Sequence, residues 1–211
     1  MSKHIDILQI GAHIGNSLND PLYNTCLNNK SLILIEPVPF LFDILVHNYK
    51  VKCTTENINV ECLNIAVSDK DGFIDMYAPS NKCDLSILPY WISQLGSMTD
   101  EHFHNHNIFE RFPDFKIEKI NVECKTINTI IKEKDIATID TLIVDTEGHD
   151  YTILNILDLS LIKPTNIVFE HKYMDGTYKR DKNFNELLTK FLNSGYKVVK
   201  EDNEDIYLIL D

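Results

Sequence analysis

The chain has 211 residues, 44% hydrophobic and 25% charged, which is enough to bury one sizeable core. Its formal net charge of -12 repels phosphate backbones, so nucleic acid is a poor candidate for a partner. No apolar run approaches the roughly 20 residues that a membrane-spanning helix needs, and we expect no membrane partner.

The cysteines and the N-terminus bear on the compartment. The five cysteines are scattered and lack the C-x-x-C spacing of a zinc site or redox pair. The first residues lack the basic start and apolar stretch of a secretory signal. We therefore expect a cytoplasmic protein with reduced thiols.

Short apolar runs alternate with helix-length segments, a pattern typical of β-α-β units and a largely parallel sheet. Strands are predicted at residues 5–10, 31–35, 60–67, 141–145 and 166–169. Helices are predicted to begin at Asp20-Pro21 and to cover residues 39–49, 126–134, 149–157 and 184–194. Residues 196–200 and 206–210, joined by a polar turn, predict an antiparallel hairpin. The fold class is therefore α/β, a Rossmann-like doubly wound sheet that ends in a C-terminal hairpin.

One long segment, residues 81–119, fits neither a strand nor a helix pattern. Segments of this length are usually functional lids or disordered, and its aromatic residues favour an ordered insert. Trp91 and Gln94 lie there; they could contact a substrate, although an aromatic that anchors a lid is an equal alternative. We predict a single domain over residues 1–211 with this insert or lid.

The first predicted strand leads directly into a glycine-containing loop, Gly11 to Asn16, in which the backbone can turn sharply and approach a ligand. The third glycine of a dinucleotide fingerprint is missing. Glu36 follows the second strand, where an acid can accept hydrogen bonds from both hydroxyls of a ribose. Residues 64–69 end the third strand and could flank an adenine. Together these features predict a nucleoside site.

Acidic residues follow two further strands. Asp145 and Glu147 come after the apolar run 142–144, and Glu170 follows residues 167–169, so they face the crevice where open α/β sheets bind ligands. Such carboxylates can orient an acceptor hydroxyl, remove its proton or share a divalent cation. We favour a metal-free site, and a cation between Asp145 and Glu170 remains open. The neighbouring His149 and His171 are candidates for substrate contact.

Three segments in combination resemble the FkbM-type family of methyltransferases. Residues 8–15 resemble its first motif, residues 36–39 with Phe42, Leu45 and Asn48 its second, and residues 139–150 its hallmark segment. Shorter matches are residues 66–69, 93–97, 169–171 and 194–196. His13 departs from the family pattern, which usually has asparagine there, and Val144 stands where a lysine is common.

The resemblance implies S-adenosylmethionine as methyl donor and commonly an oxygen acceptor, often a sugar or related small metabolite. The predicted donor-binding residues are Gly11, Ala12, His13, Gly15, Asn16, Glu36, Pro37, Ala66, Val67 and Ser68. The predicted catalytic residues are Asp145, Glu147 and Glu170. The predicted acceptor-binding residues are His149, His171, Trp91 and Gln94.

Two alternatives remain open at this point. One is a nicotinamide-dependent oxidoreductase, which the missing third glycine and the antiparallel C-terminal hairpin disfavour. The other is a catalytically silent nucleoside-binding module of the same fold, which the departures at His13 and Val144 keep open. The sequence predicts neither the acceptor nor the oligomeric state.

Overall fold

The computed structural model describes residues 2–16, 22, 23, 25, 27–80, 82, 89, 92, 96, 97, 103, 104 and 107–211. Its strands are β1 (Lys3–Ile10), β2 (Ser31–Ile35), β3 (Asn59–Leu63), β4 (Ala66–Val67), β5 (Gly72–Pro79), β6 (Ile117–Lys125), β7 (Ile136–Val144), β8 (Asn166–Glu170), β9 (Tyr196–Glu201) and β10 (Asp205–Leu210). Its helices are α1 (Pro39–Glu56), α2 (Ile108–Arg111), α3 (Ile127–Glu133), α4 (Asp150–Asn155) and α5 (Lys182–Asn193). No helix in these ranges is long and apolar enough to cross a bilayer.

The main sheet has seven strands in the order β3-β2-β1-β7-β8-β10-β9. The first five of these strands run parallel, whereas β10 pairs antiparallel with both β8 and β9. The chain builds outward from β1 in both directions, so the strand order reverses between β1 and β7. In open α/β sheets ligands bind at such a switch point, outside the carboxyl ends of the strands.

Helices cover both faces of this sheet, as the predicted doubly wound fold requires. On one face Leu45 and Tyr49 of α1 pack with Leu32 and Leu34 of β2. On the other face the apolar residues of α3, α4 and α5 pack against β1, β7 and β8. Because the central strands are covered twice, almost every residue of β2 is buried.

Local signals explain where the helices begin and end. Pro39 opens α1 at a position where its missing N–H is not needed, and Asn57 ends it with a left-handed φ of 50°. Thr126 caps α3 by accepting a hydrogen bond from the backbone N of Thr129 at 3.0 Å. In α5 the buried residues Phe184, Leu187 and Phe191 follow helical spacing.

The structure confirms the predicted fold class and corrects two parts of the strand assignment. Residues 60–67 do not form one strand, because the chain leaves the main sheet after Leu63 and Ala66–Val67 pairs with β6 instead. Strands β5 and β6 were not predicted; with β4 they form a three-stranded sheet. The predicted helix start at Asp20-Pro21 lies outside the described residues.

Candidate active site

A cavity of about 250 Å³ opens at the carboxyl end of the main sheet. Its walls come from the loop after β1, the ends of β2 and β7, the segment around β4 and the first turn of α1. The second sheet contributes Met76, and the insert contributes Gly96 and Ser97. The cavity therefore lies at the switch point where the topology predicts a ligand site.

The glycine loop and Glu36 meet at this cavity. The backbone N of Gly11 donates to the carbonyl of Ile35 at 3.0 Å, which holds the loop against the end of β2. A Cβ on Gly11 would lie 1.7 Å from the backbone oxygen of Asp145, and its φ is +85°. Only glycine can therefore take this bend without displacing the end of β7.

Glu36 is buried, and its carboxylate is fixed by two backbone donors. The N of His13 donates to Oε2 at 2.9 Å, and the N of Val38 donates to Oε1 at 2.8 Å. Burial raises the pKa of Glu36 to about 7, although both hydrogen bonds act to lower it. His13 adopts a left-handed φ of 49°, which points its backbone N–H at this carboxylate. The carboxylate is thus positioned before any ligand arrives.

Acidic side chains gather where β7 and β8 end. Val144 pairs with Phe169 in the parallel register, so Asp145 and Glu170 follow on neighbouring strands in the same row. Asp145 and Glu147 line the cavity. Glu147 has a left-handed φ of 53°, an unfavourable conformation for a residue with a side chain.

The carboxyls of this group raise one another's pKa. For Glu147 and for Glu170, burial is the largest cause of a raised pKa and the charge of Asp145 is the second. Burial and Asp145 also raise the pKa of Asp150 to about 8. Lys172 acts in the opposite direction on Glu147 and Glu170. The group therefore does not carry its full negative charge near neutral pH.

Two oxygens of this group are buried without a hydrogen-bond partner among the described residues, Oδ1 of Asp150 and Oε2 of Glu170. The other oxygen of Asp150, Oδ2, accepts from the hydroxyl of Thr146 at 2.9 Å. A protonated carboxyl is the form that burial of this kind favours.

A further polar contact crosses the cavity wall. The hydroxyl of Ser68, just after β4, lies 2.9 Å from Nε2 of His149, which precedes α4. Burial lowers the pKa of His149, so its imidazole is neutral near pH 7. His149 lines the cavity beside Val67 and Ala66.

The predicted site residues divide into three groups by position. Those that line the cavity are Gly11, His13, Glu36, Pro37, Ala66, Val67, Asp145, Glu147 and His149. Those that are not part of its lining are Ala12, Gly15, Asn16, Ser68, Glu170 and His171, of which Asn16 is exposed and the others are buried. Trp91 and Gln94 lie outside the described residues.

Two members of the second group have other contacts. A Cβ on Gly15 would come within 2.5 Å of Leu45, so this glycine allows α1 to pack closely on the loop. Nε2 of His171 lies 3.2 Å from the carbonyl oxygen of Asp202 and 3.1 Å from a guanidinium nitrogen of Arg180. Asp202 lies in the turn of the C-terminal hairpin, and Arg180 also donates to the carbonyl of Asp202 at 3.1 Å, so the polar contacts of the His171 ring lead toward that turn.

Several cavity-lining residues were not predicted. Val38 directly precedes α1 and Leu41 lies in its first turn, and their place after Glu36-Pro37 is a signal that could have identified them. Met76 could not be identified, because it lies on β5, a strand that the sequence pattern did not indicate. Thr146 and Gly148 belong to the acidic segment, but neither has a charge that draws attention to it.

A sequence model of the Methyltransferase FkbM domain family matches residues 9–198. A search of curated proteins finds no significant match. Three of the solved structures that are similar match 99–100% of the chain, at 11–15% identity.

The first of these is a methyltransferase FkbM from Methylobacillus flagellatus KT (TM-score 0.49, 15% identity), of which the match covers 44%. The second is a protein of the NADB-Rossmann superfamily from Streptococcus agalactiae (TM-score 0.45, 14% identity), of which it covers 64%. The third is an O-methyltransferase from Bacillus cereus in complex with SAH (TM-score 0.46, 11% identity), of which it covers 74%.

The family match contains the glycine loop, Glu36 and the acidic segment after β7. It runs over most of the chain and agrees with the mostly parallel α/β sheet described above. The chain belongs to the FkbM methyltransferase domain family.

Proposed function

We propose that this protein transfers the methyl group of S-adenosylmethionine to an oxygen of a small acceptor such as a sugar or related metabolite. The observation that carries the proposal is the hydrogen bond from the backbone N of His13 to Oε2 of Glu36, 2.9 Å long, at the wall of the cavity. This hydrogen bond shows that the glycine loop and Glu36 lie side by side at the cavity, and a nucleoside site requires both to contact the same ligand.

The cavity fits the donor at its nucleoside end. Each oxygen of Glu36 accepts one backbone N–H and has a second lone pair, so the carboxylate can also accept from two ribose hydroxyls. Ile65, Ala66 and Val67 give the cavity an apolar wall against which an adenine ring can lie. Gly11 and His13 would face the methionine end of the donor.

When bound, the donor supplies a methyl group on a sulfonium, which is already a good leaving group. The tasks left to the protein are to align the acceptor and to take its proton. Glu147 is suited to proton removal because it lines the cavity and because burial and Asp145 raise its pKa to about 8, which makes its ionised form a stronger base than an ordinary carboxylate. Asp145 would orient the acceptor hydroxyl, and Glu170 would act through Asp145 and Glu147.

We propose a site without a metal ion. Within the described part of the chain, the ligand atoms of His4, Asp6 and Asp140 form the one group of three or more acidic, histidine or cysteine residues spaced closely enough for an ion. That group lies on β1 and β7 away from the cavity, and Lys30 already donates to Asp6 at 2.6 Å. Activity that survives exhaustive chelation would support the metal-free site, and activity restored only by a divalent cation would contradict it.

The direct test is calorimetry of the full chain with S-adenosylmethionine. We expect the wild type to bind the donor and Glu36→Ala to lose most of its affinity, because removal of the carboxylate leaves the ribose hydroxyls and two backbone donors without an acceptor. Glu110→Ala, an exposed acid on α2, is the matched control and should bind as the wild type does. Equal binding by Glu36→Ala and the wild type would remove Glu36 from the site.

Two further measurements separate the proposal from its alternatives. Titration with nicotinamide dinucleotides should show no binding, and binding of these instead of the donor would favour an oxidoreductase. Formation of S-adenosylhomocysteine with an acceptor from a panel of sugars and hydroxylated metabolites would demonstrate turnover. Donor binding without product on a broad panel would favour a silent binding module.

A further inference from the structure

A short chain of polar side chains leads from the surface to the cavity wall. Exposed Asp69 lies next to Ser68, whose Oγ donates to Oδ1 of Asp69 at 3.3 Å. The same Oγ lies 2.9 Å from Nε2 of His149. Ser68 itself is buried, with 6% of its surface exposed.

The proton positions in this chain follow from its two ends. A carboxylate can only accept, so the single hydroxyl proton of Ser68 points to Asp69. In this arrangement Ser68 Oγ accepts a hydrogen bond from Nε2–H of His149, and the reverse assignment, with Ser68 donating to Nε2, would give up the contact with Asp69. Because the imidazole is neutral, its other nitrogen, Nδ1, has a lone pair and no proton.

That lone pair has no other assigned use. Among the described residues, the one hydrogen bond of the His149 ring is the contact through Nε2. The ring lines the cavity together with Ala66 and Val67, the residues proposed to lie against the adenine. Ser68 directly follows these residues, so its bond to His149 holds the ring beside the base, although the sequence prediction assigned His149 to the acceptor.

We propose that His149 reads the base of the donor, with Nδ1 accepting a hydrogen bond from the exocyclic 6-amino group of adenine. This inference rests on the proposed function and assigns a specificity-determining residue to its donor site. Ser68 and Asp69 are positioning residues, because they act only by fixing the tautomer of His149. A purine with a 6-oxo group presents an acceptor to the same lone pair and is rejected.

The test is calorimetry of the full chain with two ligands, S-adenosylhomocysteine and S-inosylhomocysteine, which differ in the purine 6-position. The wild type should bind the adenosine compound at least about tenfold more tightly. With adenine, Nδ1 of His149 gains a hydrogen bond from the 6-amino group, whereas with hypoxanthine it faces the 6-oxo oxygen, which is also an acceptor. His149→Phe keeps an aromatic ring and should bring the ratio close to one. Ser68→Ala should lower the ratio as well, since it frees the tautomer.

The preference ratio distinguishes this role from a structural one, because a general loosening of the site weakens both ligands together. His47→Phe, on an exposed position of α1, is the control and should keep the wild-type ratio. A long-range 1H–15N spectrum of the wild type gives a readout that needs no folded variant, and it should show His149 protonated at Nε2.

The possible failures are distinguishable. If the wild type binds neither ligand, the proposed function fails and this inference fails with it. If the wild type binds S-adenosylhomocysteine but does not prefer it, only the inference is overturned. The same holds if His149→Phe and Ser68→Ala keep the wild-type ratio, or if His149 is protonated at Nδ1.

Discussion

The pH dependence of donor-product binding follows from the state of Glu36. In the free protein, burial raises the pKa of this carboxyl to about 7. Ribose hydroxyls donate hydrogen bonds, so they bind the charged form and not the protonated form. A fall in pH through 7 therefore removes the binding-competent form of Glu36, and the affinity for S-adenosylhomocysteine falls with it.

The size of the effect is set by the hydrogen bonds that a ribose adds. Two hydrogen bonds to a charged acceptor, at about 1.5 kcal/mol each, lower the pKa of Glu36 in the complex by about two units. Affinity should be constant above about pH 8 and fall by up to about a hundredfold by about pH 5. Near pH 7, binding should release about half a proton, since the ligand selects the ionised half of the molecules.

Calorimetry across this pH range, in buffers that differ in ionisation enthalpy, measures both quantities. Glu36→Gln cannot titrate, so its weaker affinity should not show this pH dependence, while Glu110→Gln should keep the wild-type profile. A flat wild-type profile, or the same slope in Glu36→Gln, would refute the assignment of Glu36 to the ribose.

The remaining predictions concern the loop, the acids and the support of α1. Gly11→Ala should abolish ligand binding and lower the melting temperature, because its Cβ would meet the backbone at the end of β7. Gly72→Ala has open space around its Cβ and should cost only the backbone strain of its φ of +134°, about 1–3 kcal/mol, with ligand binding kept. The folded state holds a proton on Asp150 that the unfolded state has lost, so this residue alone should contribute a loss of up to about 4 kcal/mol of unfolding free energy from about pH 5 to pH 8. In urea titrations Asp150→Asn should lose less stability over this range than the wild type does, and an equal loss would contradict this. Lys52→Met should lower the free energy of unfolding by about 2–4 kcal/mol, because the buried Nζ of Lys52 donates to the carbonyls of residues 23 and 25 and to Glu56. Urea titration measures this loss, and an unchanged midpoint would show that these hydrogen bonds do not stabilise the fold.

The central strands could be predicted because both of their faces are buried. Strand β2 begins and ends at the predicted residues, since every position in it except the first is buried and apolar. The C-terminal hairpin was predicted for a different reason, because two β-type runs flank a polar turn, and β9 is exposed after its first residue. A short apolar run that is bounded by turn residues, as in β2, is the sequence pattern of a strand buried on both faces.

The second sheet could not be predicted in this way. Strands β5 and β6 bury few side chains, chiefly Met76, Ala78, Val122 and Cys124, so their apolar residues are spread among exposed polar ones. The break in the third predicted strand is fixed by tertiary contacts, since the side chain of Asn64 donates to the carbonyl of Glu36 at 2.8 Å.

The candidate site was predictable where chain position alone places a residue at the end of a strand. Asp145 and Glu36 follow buried strands directly, so their place at one edge of the sheet followed from the parallel fold. The pair of Ser68 and His149 is separated by 81 positions, and nothing in either segment indicates the other. The assignment of His149 to the donor and not to the acceptor depended on its contact with Ser68, which the sequence does not indicate.

The central claim is that the cavity at the ends of β1 and β2 holds the nucleoside of the methyl donor. A crystal structure of the protein with S-adenosylhomocysteine tests it most directly. We predict that the ribose hydroxyls lie within hydrogen-bond distance of Glu36, that the adenine lies between Val67 and His149, and that the sulfur faces Asp145. A complex with the ribose bound away from Glu36 would contradict it.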